Sequence, residues 1–430
     1  MRGSARWTTI FMALAACRAL EATAEDWPRW RGPNGDGAWQ GPRLPEQWPA
    51  DGLKAAWRQP VGGGYSGIAV ADGRVYTMDR QTQPAETERV LCFEAATGKV
   101  LWQHSYPVAY GKLDYGTGPR ATPTVHEGRL YTLGATGHCC CLTVESGDVV
   151  WEKDLIEPAK DDEKAAAGQP ASKLPEWGLA ASPVIWKNLV ITHPGAKPGG
   201  CFVALDRVSG KEVWRAGDDP AGYATPILID SPSVEQLVGW TPEHVLGMSP
   251  ATGQIHWSVP YKVTYGVSIA TPIFQQDIVL VSGYWEGSKA IRLGPTPRDA
   301  TLLWEDERNV RGLMSQPLYR EGLVYCLDKH HGLVCFELET GTKLWDDGNQ
   351  MTPRGRNPQA NLVWLGDEDR AIILNSEGEL ILARLNRSGY QEQSRAKIIE
   401  PTWAHPAFAG AMVFARNDTE LVAVPLPAAD

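Results

Sequence analysis

The 430-residue chain is without the local signatures that announce catalysis. It has no Gly-x-Ser-x-Gly elbow, no His-Glu-x-x-His, no Cys-x-x-Cys, no phosphate loop and no EF-hand spacing. That removes the short-motif routes to acyl transfer, zinc-dependent hydrolysis, dithiol exchange, nucleotide binding and calcium switching. No run of Lys and Arg is interleaved with aromatics and the net charge is −10, which argues against a nucleic-acid footprint and disfavours an anionic partner. No apolar run is long enough to span a bilayer. The stretch from Ile10 to Ala16 is short, follows Arg2 and Arg6, and precedes Ala22-Thr23-Ala24 before Glu25, so residues 1–24 read as an export signal. Leu14-Ala15-Ala16-Cys17 also fits a bacterial lipobox, which would place a lipid anchor on Cys17. Seven cysteines follow Cys17, an odd number that internal pairing in an oxidising compartment cannot exhaust.

What the chain has in plenty is tryptophan, 18 residues, and five of them obey one pattern: Ser or Thr, then Gly, then Trp four positions after the Gly. The pairs are Gly98 with Trp102, Gly147 with Trp151, Gly210 with Trp214, Gly253 with Trp257 and Gly341 with Trp345. A worn copy ends at Trp304, with Ala300 in the glycine's place. A second marker runs in phase: Pro123, Pro183, Pro226, Pro272, Pro317 and Pro406, each after a small or polar residue. Proline is tolerated at the first residue of a strand. Between the markers lie short β-branched and aromatic runs broken by turn residues, the pattern of a four-stranded meander. The glycine can take the left-handed turn that joins the third strand to the fourth. The Trp then lies on the outermost strand, where its ring can wedge between neighbouring sheets.

Periods in the forties point to a radial array. The units run 65–102, 120–151, 180–214, 223–257, 269–304, 315–345, a degenerate 360–388, and 402–425. The last has room for three strands, so its fourth is expected from Leu53-Lys54-Ala55-Ala56-Trp57, which would close a ring and remove exposed sheet edges. The reading is an all-β, eight-bladed β-propeller of four-stranded antiparallel blades over 53–430, after a signal (1–24) and an N-terminal extension (25–52). Whether 360–388 forms a full blade stays open. Cys92, Cys141 and Cys335 share one slot of the repeat, filled by Ala204 in another copy, so the slot wants a small apolar side chain. Cys326 and Cys335 are equidistant from the turn at 329–332, and a disulfide between them is compatible with that spacing without being required.

Propeller ligands bind at the axial funnel built by the connections that precede the inner strands. Those connections carry Tyr115, Arg120, Trp177, Tyr223, Tyr265, Arg356, Trp403 and His405. Aromatic and Arg side chains so placed can stack on a flat anionic ring, bind a peptide edge or a carbohydrate, or simply pack the mouth. The acidic residues there, Asp114 and Glu176, do not stand out. Asp161-Asp162-Glu163 belongs to a long insertion, 154–179, and reads as a surface arm. His330-His331 sits at a hairpin tip, where adjacent histidines point apart. No metal site is expected.

The units resemble the repeat of the pyrroloquinoline quinone (PQQ) propellers, whose docking motif ends in Thr-Gly-Lys-x-x-Trp, as Thr97-Gly98-Lys99-Val100-Leu101-Trp102 does. The resemblance covers nearly the whole mature chain. Asp26-Trp27-Pro28-Arg29-Trp30-Arg31-Gly32-Pro33-Asn34-Gly35-Asp36-Gly37 is similar to the opening of exported PQQ-like propellers of planctomycete-type bacteria. The BamB-type outer-membrane assembly lipoproteins share the eight-bladed repeat. The resemblance implies an envelope interaction scaffold, with a protein partner bound at the funnel or by strand addition at a blade edge. Its alternative is a PQQ-dependent dehydrogenase oxidising an alcohol or sugar, with PQQ and calcium on the axis, an acidic base, and the quinone near Trp177 or Trp403. Such dehydrogenases also place a disulfide between adjacent cysteines over the cofactor, which draws attention to His138-Cys139-Cys140-Cys141. On a strand, however, Cys139 and Cys141 face one way and Cys140 the other. The scaffold is expected first, because no carboxylate stands out in the funnel.

Overall fold

The computed structural model describes residues 25–156, 173–366 and 368–429. The segment 1–24 read as an export signal, with Cys17, and Asp161-Asp162-Glu163 lie outside them. Eight antiparallel four-stranded sheets follow one another along the chain. They span 69–107, 124–154, 184–216, 227–260, 273–306, 318–346 and 360–397 for blades 1 to 7. Blade 8 combines 407–425 with an N-terminal strand. Blade 7 is complete, its fourth strand, Gly389–Lys397, lying beyond the degenerate unit. The closing strand is Trp57–Pro60, paired antiparallel with Glu420–Pro425. It starts at Trp57, where the sequence reading ends it, because Leu53 to Ala56 only lead in; Ala56 N–H donates to Ala423 O at 2.8 Å.

The repeat residues bind one blade to the next at six of the eight seams, those between blades 4 and 5 and between blades 7 and 8 excepted. Each turn glycine has a positive φ, from 69° to 75° in all five copies, and lies against the tryptophan of the preceding blade. A Cβ on Gly147 would stand 2.5 Å from the Trp102 ring, and one on Gly98 2.6 Å from Trp57. The indole N–H then donates to a backbone carbonyl beside that turn: Trp57 to Ala95, Trp102 to Val144, Trp151 to Arg207, Trp214 to Pro250, Trp304 to Leu338, Trp345 to Asn386. The closing strand thus supplies blade 8 with its docking tryptophan. The cysteine slot is the ladder position directly opposite that tryptophan, as Cys92, Cys141 and Cys335 lie opposite Trp102, Trp151 and Trp345. A large side chain there would displace the indole ring. All seven described cysteines are free and buried. Cys326 pairs with Val334 in the ladder and belongs to a different core cluster from Cys335, so the two thiols face opposite sides and the compatible disulfide does not form.

The Thr/Ser-Pro marker makes a second, inner girdle. Proline opens the inner strand without needing a donor, and the hydroxyl before it accepts the backbone N–H of the previous blade. Thr122 N–H donates to Ser182 Oγ and Ser182 N–H to Thr225 Oγ1, both at 2.9 Å.

The N-terminal extension stoppers the axial channel from the base of the ring. Trp27 exchanges both backbone bonds with Val70 of blade 1, and Pro28 O accepts Val125 N–H of blade 2. Trp30 Nε1 donates to Thr271 Oγ1 at 2.9 Å and Arg31 Nη2 to Pro317 O at 2.8 Å. Ala38–Trp39 adds a short parallel strand to blade 7. Trp27 and Trp39 are fully buried, the latter 5.2 Å from Phe408 of blade 8. Six blades are therefore tied to one segment.

Candidate functional site

With the base stoppered, the accessible mouth is the opposite face, formed by the connections before the inner strands and by the hairpins between second and third strands. Five of the expected residues form one arc there. The Trp403 ring lies 5.9 Å from Tyr65 and 5.7 Å from Tyr115. Asp114, next to Tyr115, accepts the Trp177 indole N–H at 3.3 Å, and Trp177 packs 5.4 Å from Tyr223. Arg120 lies 5.5 Å over the Tyr65 ring and donates to the carbonyls of Gly118, Asp114 and Tyr115. These three bonds brace the loop, and burial lowers the guanidinium's pKa. Tyr115 is held at φ 48° and is 38% exposed.

Tyr265 and Arg356 belong to a second arc. Tyr265, at φ 56°, is the most exposed large aromatic among the described residues, 70% accessible, and lies 6.5 Å from Trp285. Tyr284 packs edge-on to Trp285 at 4.6 Å and reaches the Asn357 side chain and the Arg356 carbonyl. Lys329 Nζ sits 4.0 Å over Tyr284 and 3.7 Å over Trp285. The Arg356 side chain itself points to solvent. Tyr284, Trp285 and Lys329 are absent from the sequence-based set because they stand on hairpin tips. Their signal was two large aromatics between Gly283 and Gly287, a poor place to hide apolar surface.

His405 is not at the mouth. It is 4% exposed, bonds the Pro406 carbonyl through Nδ1, and has the Trp30 ring 4.8 Å away. Burial pushes its pKa down to about 4, and Arg31 pushes the same way. It is a buried, neutral residue packed against Trp30 of the stopper.

Of the two acidic candidates at the mouth, Glu176 is exposed to solvent and Asp114 is engaged, as are the other carboxylates nearby. Asp114 serves Tyr115 N–H and Trp177, Asp418 takes Gly64 N–H, and Asp79 pairs with Arg89 and Gly62 N–H. Glu88 is buried under the hydroxyls of Tyr106 and Tyr110 and the Ala135 N–H. Among the described residues no three His, Cys, Asp or Glu side chains converge at the funnel. Two clefts lie elsewhere: one of about 340 Å³ along the outer edge of blade 5, one of about 520 Å³ between the stopper and the base of blades 2 and 3. The residues present do not fit a PQQ–calcium pair.

Ring closure, glycine-and-tryptophan docking and an aromatic mouth together define a PQQ-repeat β-propeller. The chain belongs to the family described as outer membrane protein assembly factor BamB, whose pattern matches residues 86–346. Comparison with curated proteins finds none that matches. Among solved structures, BamB from Moraxella catarrhalis is similar with a TM-score of 0.60 and 16% identity, covering 88% of this chain and 99% of that one. A europium-containing methanol dehydrogenase gives a TM-score of 0.66 and 10% identity over 94% and 98%. The quinohemoprotein alcohol dehydrogenase ADHIIG from Pseudomonas putida HK5 gives 0.59 and 11% over 94% and 81%. At these identities the likeness is one of fold. No helix among the described residues is long and apolar enough to cross a membrane.

Proposed function

We propose that this propeller is an exported interaction scaffold of the cell envelope that takes a protein partner on its funnel face, in an outer-membrane-assembly-like role. The observation that carries the reading is the pairing of exposed aromatics with engaged carboxylates: Tyr265, Trp285 and Tyr115 face solvent, while the acidic groups around them bond their own loops. Aromatic anchors beside a cation are the composition of protein-binding hot spots. The family match to an assembly factor supports the same reading.

Two measurements test it. Immobilised mature protein is exposed to envelope extract, with a Tyr265→Ala/Trp285→Ala variant beside it; the wild type retains a discrete partner and the variant loses it at least tenfold. Equal retention by both excludes this face. Calorimetric titration with PQQ and calcium gives no saturable heat; micromolar saturable binding would replace the scaffold by the dehydrogenase.

A further inference from the structure

The seam between blades 1 and 2 gathers four metal-capable side chains that neither blade docking nor the funnel uses. Cys140 lies opposite Glu152 in the ladder of blade 2, and His138 opposite Asp154. His138 and Cys140, two apart on one strand, share the face turned to blade 1, where Cys140 packs with Trp102 and Tyr106. From blade 1, His104 stands between those two aromatics on the strand Val100–Pro107. The donor atoms of His104, Cys140 and Glu152 all lie within 4.8 Å of one another. His138 Nε2 is 3.6 Å from Glu152 Oε2.

We propose that this seam is a zinc-class divalent metal site formed by His104, His138, Cys140 and Glu152. Two features point to a ligand. His104 Nε2 and His138 Nε2 are both buried with no hydrogen-bond partner, a cost that a cation between them removes. His138 Nδ1 is bonded to Asp154 Oδ1 at 2.7 Å; the carboxylate can only accept, so Nδ1 carries the proton and the Nε2 lone pair is turned to the seam. That carboxylate–histidine arrangement is the usual support of a metal-bound imidazole. Two nitrogens, a sulfur and a carboxylate oxygen suit zinc in tetrahedral geometry. Donors around such an ion sit roughly 3.4 to 3.8 Å apart, so the His104, Cys140 and Glu152 atoms, now within 4.8 Å of one another, draw in by about 1 Å, and His138, already 3.6 Å from Glu152, closes on the other two. Glu152, with a half-exposed side chain, gives both the freedom to do so and the entry path. Binding expels the Cys140 thiol proton to solvent, one per ion.

The test uses the mature full-length protein stripped by chelator, with Zn²⁺ in calorimetry and Co²⁺ in absorption. One ion per chain and a thiolate-to-cobalt absorption band are expected. Cys140→Ser removes the band, His104→Gln and His138→Gln weaken Zn²⁺ binding at least 100-fold, and Asp154→Asn weakens it roughly 10- to 100-fold. Should Cys140→Ser fail to fold, the wild-type cobalt spectrum and the exposed-edge Asp154→Asn variant decide the matter. No stoichiometric ion, cobalt bound without the thiolate band, or affinity unchanged in both histidine variants overturns the proposal, the last placing the ion elsewhere, as at His330 and His331.

Discussion

The seam between blades 2 and 3 and the seam between blades 4 and 5 solve one packing problem in two ways. In the first, Trp151 lies under Gly210, where a Cβ would come within 2.7 Å of its ring, and its N–H crosses to Arg207 O at 3.1 Å. In the second, blade 5 turns through Gly294 to Asp299 without a Thr-Gly pair. Trp257 instead lies over Gly247 of its own blade, where a Cβ would stand 2.1 Å from the ring, and its N–H goes to Gln236 Oε1 at 2.8 Å. Both rings are equally buried, 8% and 6% exposed. The glycine of one blade thus serves the tryptophan of the blade before it. The worn copy in blade 5 is felt by Trp257, while Trp304 docks normally under Gly341.

Trp151→Ala and Trp257→Ala should each cost about 3–5 kcal/mol, the usual range for a buried tryptophan, and should differ in where the damage appears. Loss of Trp151 removes the ring under Gly210 and one of the donors to the Arg207 carbonyl, leaving the Tyr131 hydroxyl, so amide exchange across 206–211 of blade 3 should rise by tenfold or more. Loss of Trp257 should leave exchange across 294–299 of blade 5 unchanged. Equal disturbance of both turns in hydrogen-exchange mass spectrometry would dissolve the distinction between the two seams.

A third seam, between blades 3 and 4, sharpens the comparison through pH. His193 stacks on Phe202 at 4.3 Å and accepts the Gly222 N–H, and burial pushes its pKa down to about 4. The unfolded chain takes up this proton near pH 6.5 and the folded protein only near 4. Stability is therefore full above pH 6.5 and falls as pH drops towards 4, by roughly 3 kcal/mol for this residue. His405, depressed to the same range, adds to the slope. Urea midpoints at pH 7.5 and 4.5 should converge partway in His193→Gln; an unchanged gap would mean that the loss arises elsewhere.

The ring was legible because its spacing encodes contacts that recur from unit to unit: each turn glycine answers the tryptophan one blade before it, and each small slot answers the tryptophan opposite it in its own blade. The stopper was not, although Trp27, Arg31 and Trp39 are among the best-buried residues. Its partners lie on six blades up to hundreds of residues distant, and a segment with no repeat and almost no ladder of its own shows no periodicity. The arc from Trp403 to Tyr223 was readable from position alone, since all five side chains precede inner strands. The same rule misplaced His405, because the residue just before an inner strand stands at the boundary between mouth and channel, and Trp30 of the stopper decides on which side it falls. Tyr284 and Trp285 escaped because hairpin tips carry no repeat marker.

The smallest of the expected effects tests the docking rule most directly. The slot opposite the docking tryptophan holds Cys or Ala in other blades, as at Cys141, Ala204 and Ala290, and glycine at Gly247. If the ring of Trp257 lies over its own blade because blade 5 offers no glycine turn, the missing Cβ at 247 is a requirement of that seam alone. Gly247→Ala should then cost about 1–3 kcal/mol through overpacking, although alanine is native at the same slot in blades 3 and 5. Grafting Thr-Gly into the 294–299 turn gives the ring a receptor in blade 5, so it should no longer need the space above residue 247. The double variant should consequently be more stable than the sum of its parts predicts, a positive coupling readable in a double-mutant cycle. Strict additivity would mean that the two glycine positions are independent and that Trp257 is held over its own blade by Gln236 alone.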